Sequence, residues 1–194
     1  GHDFIVSSAV FSFNSKFIIT ASMDNTAKIW DAVSGKLLID LTNHTGDVNS
    51  AFFSPDNNQI VTASTDNTVK VWNAVTGKLV VDISGHTDDV STAKFSNDGK
   101  WIVSGSWDKT AKIWDAATGV LYKELKGHEA KISSVAFFPD SQLVATTSGD
   151  KTIKIWDVLT GLLKATLKGH KSNVNTINFS NNGKRIVTSS SDMT

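Results

Sequence analysis

Thr110-Ala111-Lys112-Ile113-Trp114-Asp115 is one of four copies of a single phrase. The others read Thr26-Ala27-Lys28-Ile29-Trp30-Asp31, Thr68-Val69-Lys70-Val71-Trp72-Asn73 and Thr152-Ile153-Lys154-Ile155-Trp156-Asp157, each Trp 42 residues from the next. Working outward, His2, His44, His86, His128 and His170 keep the same step, with no insertion or deletion to break it. A fixed period of this size means one supersecondary unit repeated along the chain.

Within a unit the pattern is that of short strands separated by turns. A polar loop such as Gly85-His86-Thr87-Asp88-Asp89 leads into Val90-Ser91-Thr92-Ala93-Lys94-Phe95, whose closing residue recurs as Phe11, Phe53, Phe95, Phe137 and Phe179. Ser54-Pro55-Asp56-Asn57 and Ser96-Asn97-Asp98-Gly99 supply turn chemistry. A second strand, Ile60-Val61-Thr62-Ala63-Ser64, ends in an Asp-containing hairpin turn, and the Trp-bearing phrase is the third strand. Thr76-Gly77 and its equivalents then turn the chain into a fourth strand, Lys78-Leu79-Val80-Val81-Asp82-Ile83. No helical periodicity intervenes. The expected fold is all-β, one four-stranded antiparallel sheet per unit, with units at 1–42, 43–84, 85–126 and 127–168 and a partial fifth at 169–194. One such sheet cannot bury both of its faces alone. Stacked between neighbours it can.

Composition removes several function classes. Formal net charge is zero and the pI is near 7.1, so charge-driven attraction to nucleic acid or an anionic membrane is not expected. The absence of cysteine excludes disulfides, thiolate metal sites and a cysteine nucleophile. No apolar run approaches the roughly 18 residues that span a bilayer, and no signal peptide opens the sequence. Compartment stays open on these grounds.

Two dipeptides sharpen the reading. Gly-His stands at Gly1-His2, Gly85-His86, Gly127-His128 and Gly169-His170, with Asn43-His44 as the departure. Trp-Asp stands at Trp30-Asp31, Trp114-Asp115 and Trp156-Asp157, with Trp72-Asn73 as the departure. At one spacing throughout, these motifs resemble the WD40-repeat β-propeller family over the whole chain. The resemblance implies four complete blades plus the first two strands of a fifth. It also implies a structural hydrogen-bond set in each blade: His2, Thr20, Asp24 and Trp30; His44, Thr62, Asp66 and Trp72; His86, Ser104, Asp108 and Trp114; His128, Thr146, Asp150 and Trp156. Asp, His and a hydroxyl are also the parts of a nucleophilic triad. The set recurs in every blade, however, whereas an enzyme needs one asymmetric site, so neither catalysis nor a cofactor is expected. Nor can histidines spread around a ring converge on one metal ion.

The resemblance implies a protein or peptide partner, on the loops that open the first strand and on the residue before the turn Asp. Family analogy alone favours a cytoplasmic setting. Those positions are Ile5 and Ser7, Asp47 and Asn49, Asp89 and Ser91, Lys131 and Ser133, Asn173 and Asn175, with Met23, Thr65, Trp107, Gly149 and Ser191 before the turn. Trp107 breaks the repeat, and Trp is enriched at binding hot spots. The partner-binding candidates are therefore Trp107, Asp47, Asp89, Lys131 and Met23, with a basic or amphipathic peptide as ligand; packing over a neighbouring loop is the competing role for Trp107. Trp101 also breaks the repeat, but its equivalents Phe17, Gln59, Leu143 and Arg185 include two apolar residues, which points to packing.

Thr194 matches Thr26, so the last unit lacks its Trp-bearing strand. Three arrangements are compatible: part of a longer propeller, copies assembling into a homo-oligomer, or a closed four-bladed ring with an extra hairpin. The leading expectation for function is a non-catalytic interaction scaffold. The alternative is a self-assembling structural building block.

Overall fold

The structure, a computed structural model, describes residues 1–180 and 182–194. It contains eighteen strands and no helix among them. The first sheet is β1 (Val6–Phe11), β2 (Phe17–Ser22), β3 (Ala27–Asp31) and β4 (Leu37–Leu41); the second is β5 (Val48–Phe53), β6 (Gln59–Ser64), β7 (Val69–Asn73) and β8 (Leu79–Ile83). The third is β9 (Val90–Phe95), β10 (Trp101–Ser106), β11 (Ala111–Asp115) and β12 (Leu121–Leu125); the fourth is β13 (Ile132–Phe137), β14 (Leu143–Ser148), β15 (Thr152–Asp157) and β16 (Leu163–Lys168). A hairpin, β17 (Val174–Phe179) with β18 (Ile186–Ser190), follows. Every sheet is a plain antiparallel meander with sequence neighbours paired. The architecture is that of a β-propeller: four complete blades and two strands of a fifth.

Local chemistry sets the corners. Between β6 and β7, Asn67 N donates to Ser64 O at 3.3 Å and Ser64 N to Thr68 O at 3.2 Å, with Asn67 at φ 67°. That is a tight turn followed by one left-handed residue, a common short hairpin loop. Lys109 and Lys151 adopt the same conformation at φ 70° and 71°, an uncommon region for a residue with a Cβ. Asp31 closes the next turn by accepting from Ser34 N at 2.6 Å and Ser34 Oγ at 2.7 Å. Asn73 does the same through its amide oxygen, at 2.8 Å from Thr76 N and 3.0 Å from Thr76 Oγ1. The Trp72-Asn73 departure therefore leaves the geometry intact. A register shift recurs just before each Trp, at Ile29/Trp30, Val71/Trp72, Ile113/Trp114 and Ile155/Trp156, and bulges of this kind re-aim a side chain.

The core lies between sheets rather than within one. Ile19, Ile29 and Leu41 of the first sheet meet Val48, Phe53 and Trp72 of the second. Val61, Val71 and Ile83 meet Val90, Phe95 and Trp114; Val103, Ile113 and Leu125 meet Ile132, Phe137 and Trp156. Each of these Trp rings leans on the preceding sheet and is about 2% exposed. Among the described residues Trp30 joins no such cluster and stays half-buried. At the other end Val174 and Ile177 pack on Ala145 and Ile153, and β18 pairs on one side only. Trp101 stacks on Tyr122 with ring centroids 4.3 Å apart and packs against the third core.

Candidate interaction face

In each complete unit one hydroxyl joins an indole to an imidazole. Trp72 Nε1 donates to Thr62 Oγ1 at 2.9 Å, and Thr62 Oγ1 lies 2.7 Å from His44 Nε2. His44 Nδ1 in turn lies 2.7 Å from Asp66 Oδ2. The set His86, Ser104, Asp108 and Trp114 closes with 2.8, 2.8 and 2.7 Å, and His128, Thr146, Asp150 and Trp156 repeat it. His2, Thr20, Asp24 and Trp30 give 2.7, 2.7 and 2.8 Å. In the hairpin, His170 meets Thr188 at 2.9 Å and Asp192 at 3.1 Å.

The geometry selects a protonation state. The Asp carboxylate can only accept, so Nδ1 carries the proton; in the neutral imidazole Nε2 then accepts from the hydroxyl, which itself accepts the indole N–H. Burial pushes the imidazoles of His44, His86 and His128 below their ordinary value, against the upward pull of their Asp partners. Burial tends to raise the carboxyls of Asp66, Asp108 and Asp150. Hydrogen bonds from Thr68, Thr110 and Thr152 and from the histidines outweigh it and hold all three at about 2. Thr62, Ser104 and Thr146 are 0% exposed, so none of these hydroxyls can meet a substrate.

Two further positions complete the set and are not among the candidates drawn from sequence. Thr26, Thr68, Thr110, Thr152 and Thr194 donate through Oγ1 to the Asp two residues earlier at 2.6–2.7 Å. Ser64 Oγ accepts from Asp66 N at 3.1 Å and donates to Gly46 O at 3.0 Å. The signal was available as Ser-x-Asp-x-Thr in all five units.

Backbone bonds bring the partner-binding candidates together in pairs. Met23 N donates to Ile5 O, Thr65 N to Asp47 O, Trp107 N to Asp89 O and Gly149 N to Lys131 O, at 2.9–3.0 Å. Lys131 Nζ from the next blade sits 3.9 Å from the centroid of Trp107. Trp107 remains 44% exposed. The Asp89 carboxyl is raised by burial and by the charges of Asp88 and Asp47, and Lys131 partly offsets them. Lys131 thus lies over the ring, Asp89 is joined to Trp107 through the backbone, and Asp47, in the preceding unit, is near enough to act on the Asp89 carboxyl. Met23 is exposed beside Ile5, and among the described residues no hydrogen bond or ring contact ties it to this arc. Asn49 and Ser91 are committed elsewhere: Asn49 Nδ2 donates to Val90 O at 2.9 Å and Ser91 Oγ to Ile132 O at 2.7 Å, each tying one sheet to the next.

The WD40 family, described as WD domain, G-beta repeat, matches residues 1–31, 35–73, 77–115, 119–157 and 161–194. The chain belongs to the WD40 family. No curated protein matches it. Each internal WD40 match holds the last strand of one sheet and the first three of the next: residues 35–73 contain β4 with β5, β6 and β7. The family's sequence unit therefore bridges two blades. WD40 repeats generally mediate protein–protein interaction, as non-catalytic scaffolds.

Proposed function

We propose that this WD40 chain is a non-catalytic scaffold that binds a protein or peptide through the arc of Asp47, Asp89, Trp107 and Lys131. The observation that carries the reading is the aromatic at Trp107, which the repeat supplies nowhere else and which stays exposed with the Lys131 ammonium over its ring. A large half-exposed indole in an arc that also carries Asp47 and Asp89 suits a partner with an apolar anchor beside a basic group. Lys131 occupies one ring face, so the anchor meets the edge and the remaining face. Met23 with Ile5 is a lesser apolar spot on the first blade. The blade units are taken as 1–42, 43–84, 85–126 and 127–168, with 169–194 a partial fifth, because each four-stranded sheet falls inside one of them.

The test is a displayed peptide library panned on the chain, with winners re-measured against Trp107→Ala and Asp89→Lys. The expected result is a loss of at least about tenfold in affinity for each variant. Winners that bind both variants as well as the parent would remove the site.

A second reading, self-assembly, is favoured by the exposed Val6 and Phe11 on β1 and by the unpaired edge of β18. Such surfaces seek partners. Light scattering behind size exclusion decides it: a mass of 20.9 kDa is one chain, whereas a multiple that vanishes on removal of residues 171–194 supports assembly.

A further inference from the structure

Residues of the first strands of all five units line one half-open cavity of about 590 Å³. Its wall is set by the repeat: Phe11, Phe53, Phe95, Phe137 and Phe179 close β1, β5, β9, β13 and β17 and all border it. One residue breaks the pattern. Lys94 stands where the other units have Val10, Phe52, Ala136 and Asn178, and it too lines the cavity. Its Nζ is 4.9 Å from the centroid of the Phe52 ring. Among the described residues it forms no ion pair and donates no hydrogen bond, unlike Lys28, Lys70 and Lys112, which are paired with Asp40, Asp82 and Glu124. Burial alone pushes the Lys94 ammonium down to about 8, with no carboxylate to counter it.

Lys94 is partly buried, and a charge that faces apolar groups without a partner carries a cost that a bound anion would lower. The ring face of Phe52 offsets only part of that cost. Among the described residues the remaining lining is apolar apart from Asn97, Asn178 and Ser180, and it includes no second cation. One ammonium neutralises one negative charge; a dianion would bring a surplus charge into the same apolar surroundings. The volume is that of a small-molecule site.

We propose that this cavity binds a small apolar carboxylate, its anionic head on Lys94 Nζ and its body among the phenylalanine rings. The site is separate from the Trp107 arc. Asp89 lies just before β9 and Lys94 near its far end, five residues apart, roughly 16 Å at about 3.3 Å per residue of strand. The two sites therefore open at opposite ends of the same strand.

The experiment titrates 2-naphthoate, and separately its neutral counterpart 2-naphthamide, into the full chain and follows the phenylalanine ring signals by NMR. The expected result is saturable binding of naphthoate, tighter than naphthamide by at least about tenfold. Lys94→Met should bring naphthoate down to the affinity of the amide and leave the amide unchanged. Lys100→Met, on an exposed lysine, should change neither. Equal binding of acid and amide by the parent chain would overturn the proposal without any variant having to fold. So would undiminished naphthoate binding by Lys94→Met, or the absence of a saturable shift at the cavity rings.

Discussion

Replacing Thr62 by Val tests the hydroxyl that joins indole to imidazole. Val keeps the volume and the branched Cβ of a central strand residue and removes only the oxygen. Two buried groups then lose their partner: Trp72 Nε1–H, 2.9 Å away, and His44 Nε2, 2.7 Å away. An orphaned buried polar group costs about 1–3 kcal/mol, whereas an exchanged hydrogen bond is worth about 1. The expected loss for the two groups is therefore about 2–6 kcal/mol. Thr146→Val should match it, because Trp156 and His128 are placed alike. Thr188→Val should lose at most about 1 kcal/mol: no indole meets Thr188 among the described residues, and the His170 side chain is 17% exposed, so water can replace the bond. Thr62→Ser should fall close to the parent chain, since Ser104 fills the role in the third sheet. Urea unfolding followed by Trp fluorescence and far-UV circular dichroism measures all four. Equal losses for Thr62→Val and Thr188→Val, within about 0.5 kcal/mol, would refute the shared-hydroxyl account.

Acid should destabilise the chain in two stages. Because His44, His86 and His128 lie below their ordinary 6.5 when folded, the unfolded chain takes up protons that the folded chain refuses, and stability falls as pH drops below about 6.5. The stabilisation from Asp66, Asp108 and Asp150 is full above 3.8 and lost as pH falls towards about 2, on the order of 1–2 kcal/mol per carboxylate after allowing for solvent at the turn; melting temperatures that stay flat from pH 7 to 4 would contradict the first stage. Gly85→Ala should cost about 1–3 kcal/mol, because φ is 146° and a Cβ would stand 3.0 Å from Trp114 Cη2, whereas Gly169→Ala, with open space around it, should cost at most about 1 kcal/mol; thermal melts compare the two. Trp114→Ala should lose about 3–5 kcal/mol and Trp30→Ala clearly less, because only Trp114 is enclosed by a preceding sheet.

Fold and frame were legible because each rests on a contact made several times over. The step between Trp30, Trp72, Trp114 and Trp156 fixes one sheet per unit, and turn chemistry fixes where each strand ends. The His–hydroxyl–Trp sets could be named residue by residue because the resemblance to the WD40 family assigns those positions in each unit. What stayed hidden was contact between units. The sequence places Trp107 and Lys131 in different repeats, and only the stagger of neighbouring blades lays the ammonium on the ring. Asn49 and Ser91 looked like free polar positions on a loop face, yet their side chains stitch neighbouring sheets. Lys94 escaped notice because Lys alternating with apolar residues reads as the solvent side of a strand. That inference fails when the strand is the innermost of its sheet and both faces look inward.

Repetition and function thus separate physically. A side chain that appears in every blade has its partners supplied by its own repeat, and its polar atoms are spent: Thr62 is fully enclosed, and Asp66 accepts from Thr45, Thr68 and His44 at once. A side chain that appears once has no partner built in by symmetry, so any unspent valence remains for something outside the frame. Trp107 keeps open ring surface and Lys94 keeps an unpaired ammonium. The comparison among lysines makes the point with chemistry held constant: Lys28, Lys70 and Lys112 occupy one repeat position and find Asp40, Asp82 and Glu124 at a second. Lys154 holds the same position in the fourth sheet but meets Thr166 at 3.3 Å in place of a carboxylate. Thr166→Glu should therefore restore the pair and stabilise the chain by up to about 1 kcal/mol, since the pair would be partly exposed. If thermal melts at low salt show no gain, the three native pairs serve alignment between β-strands and contribute little to stability.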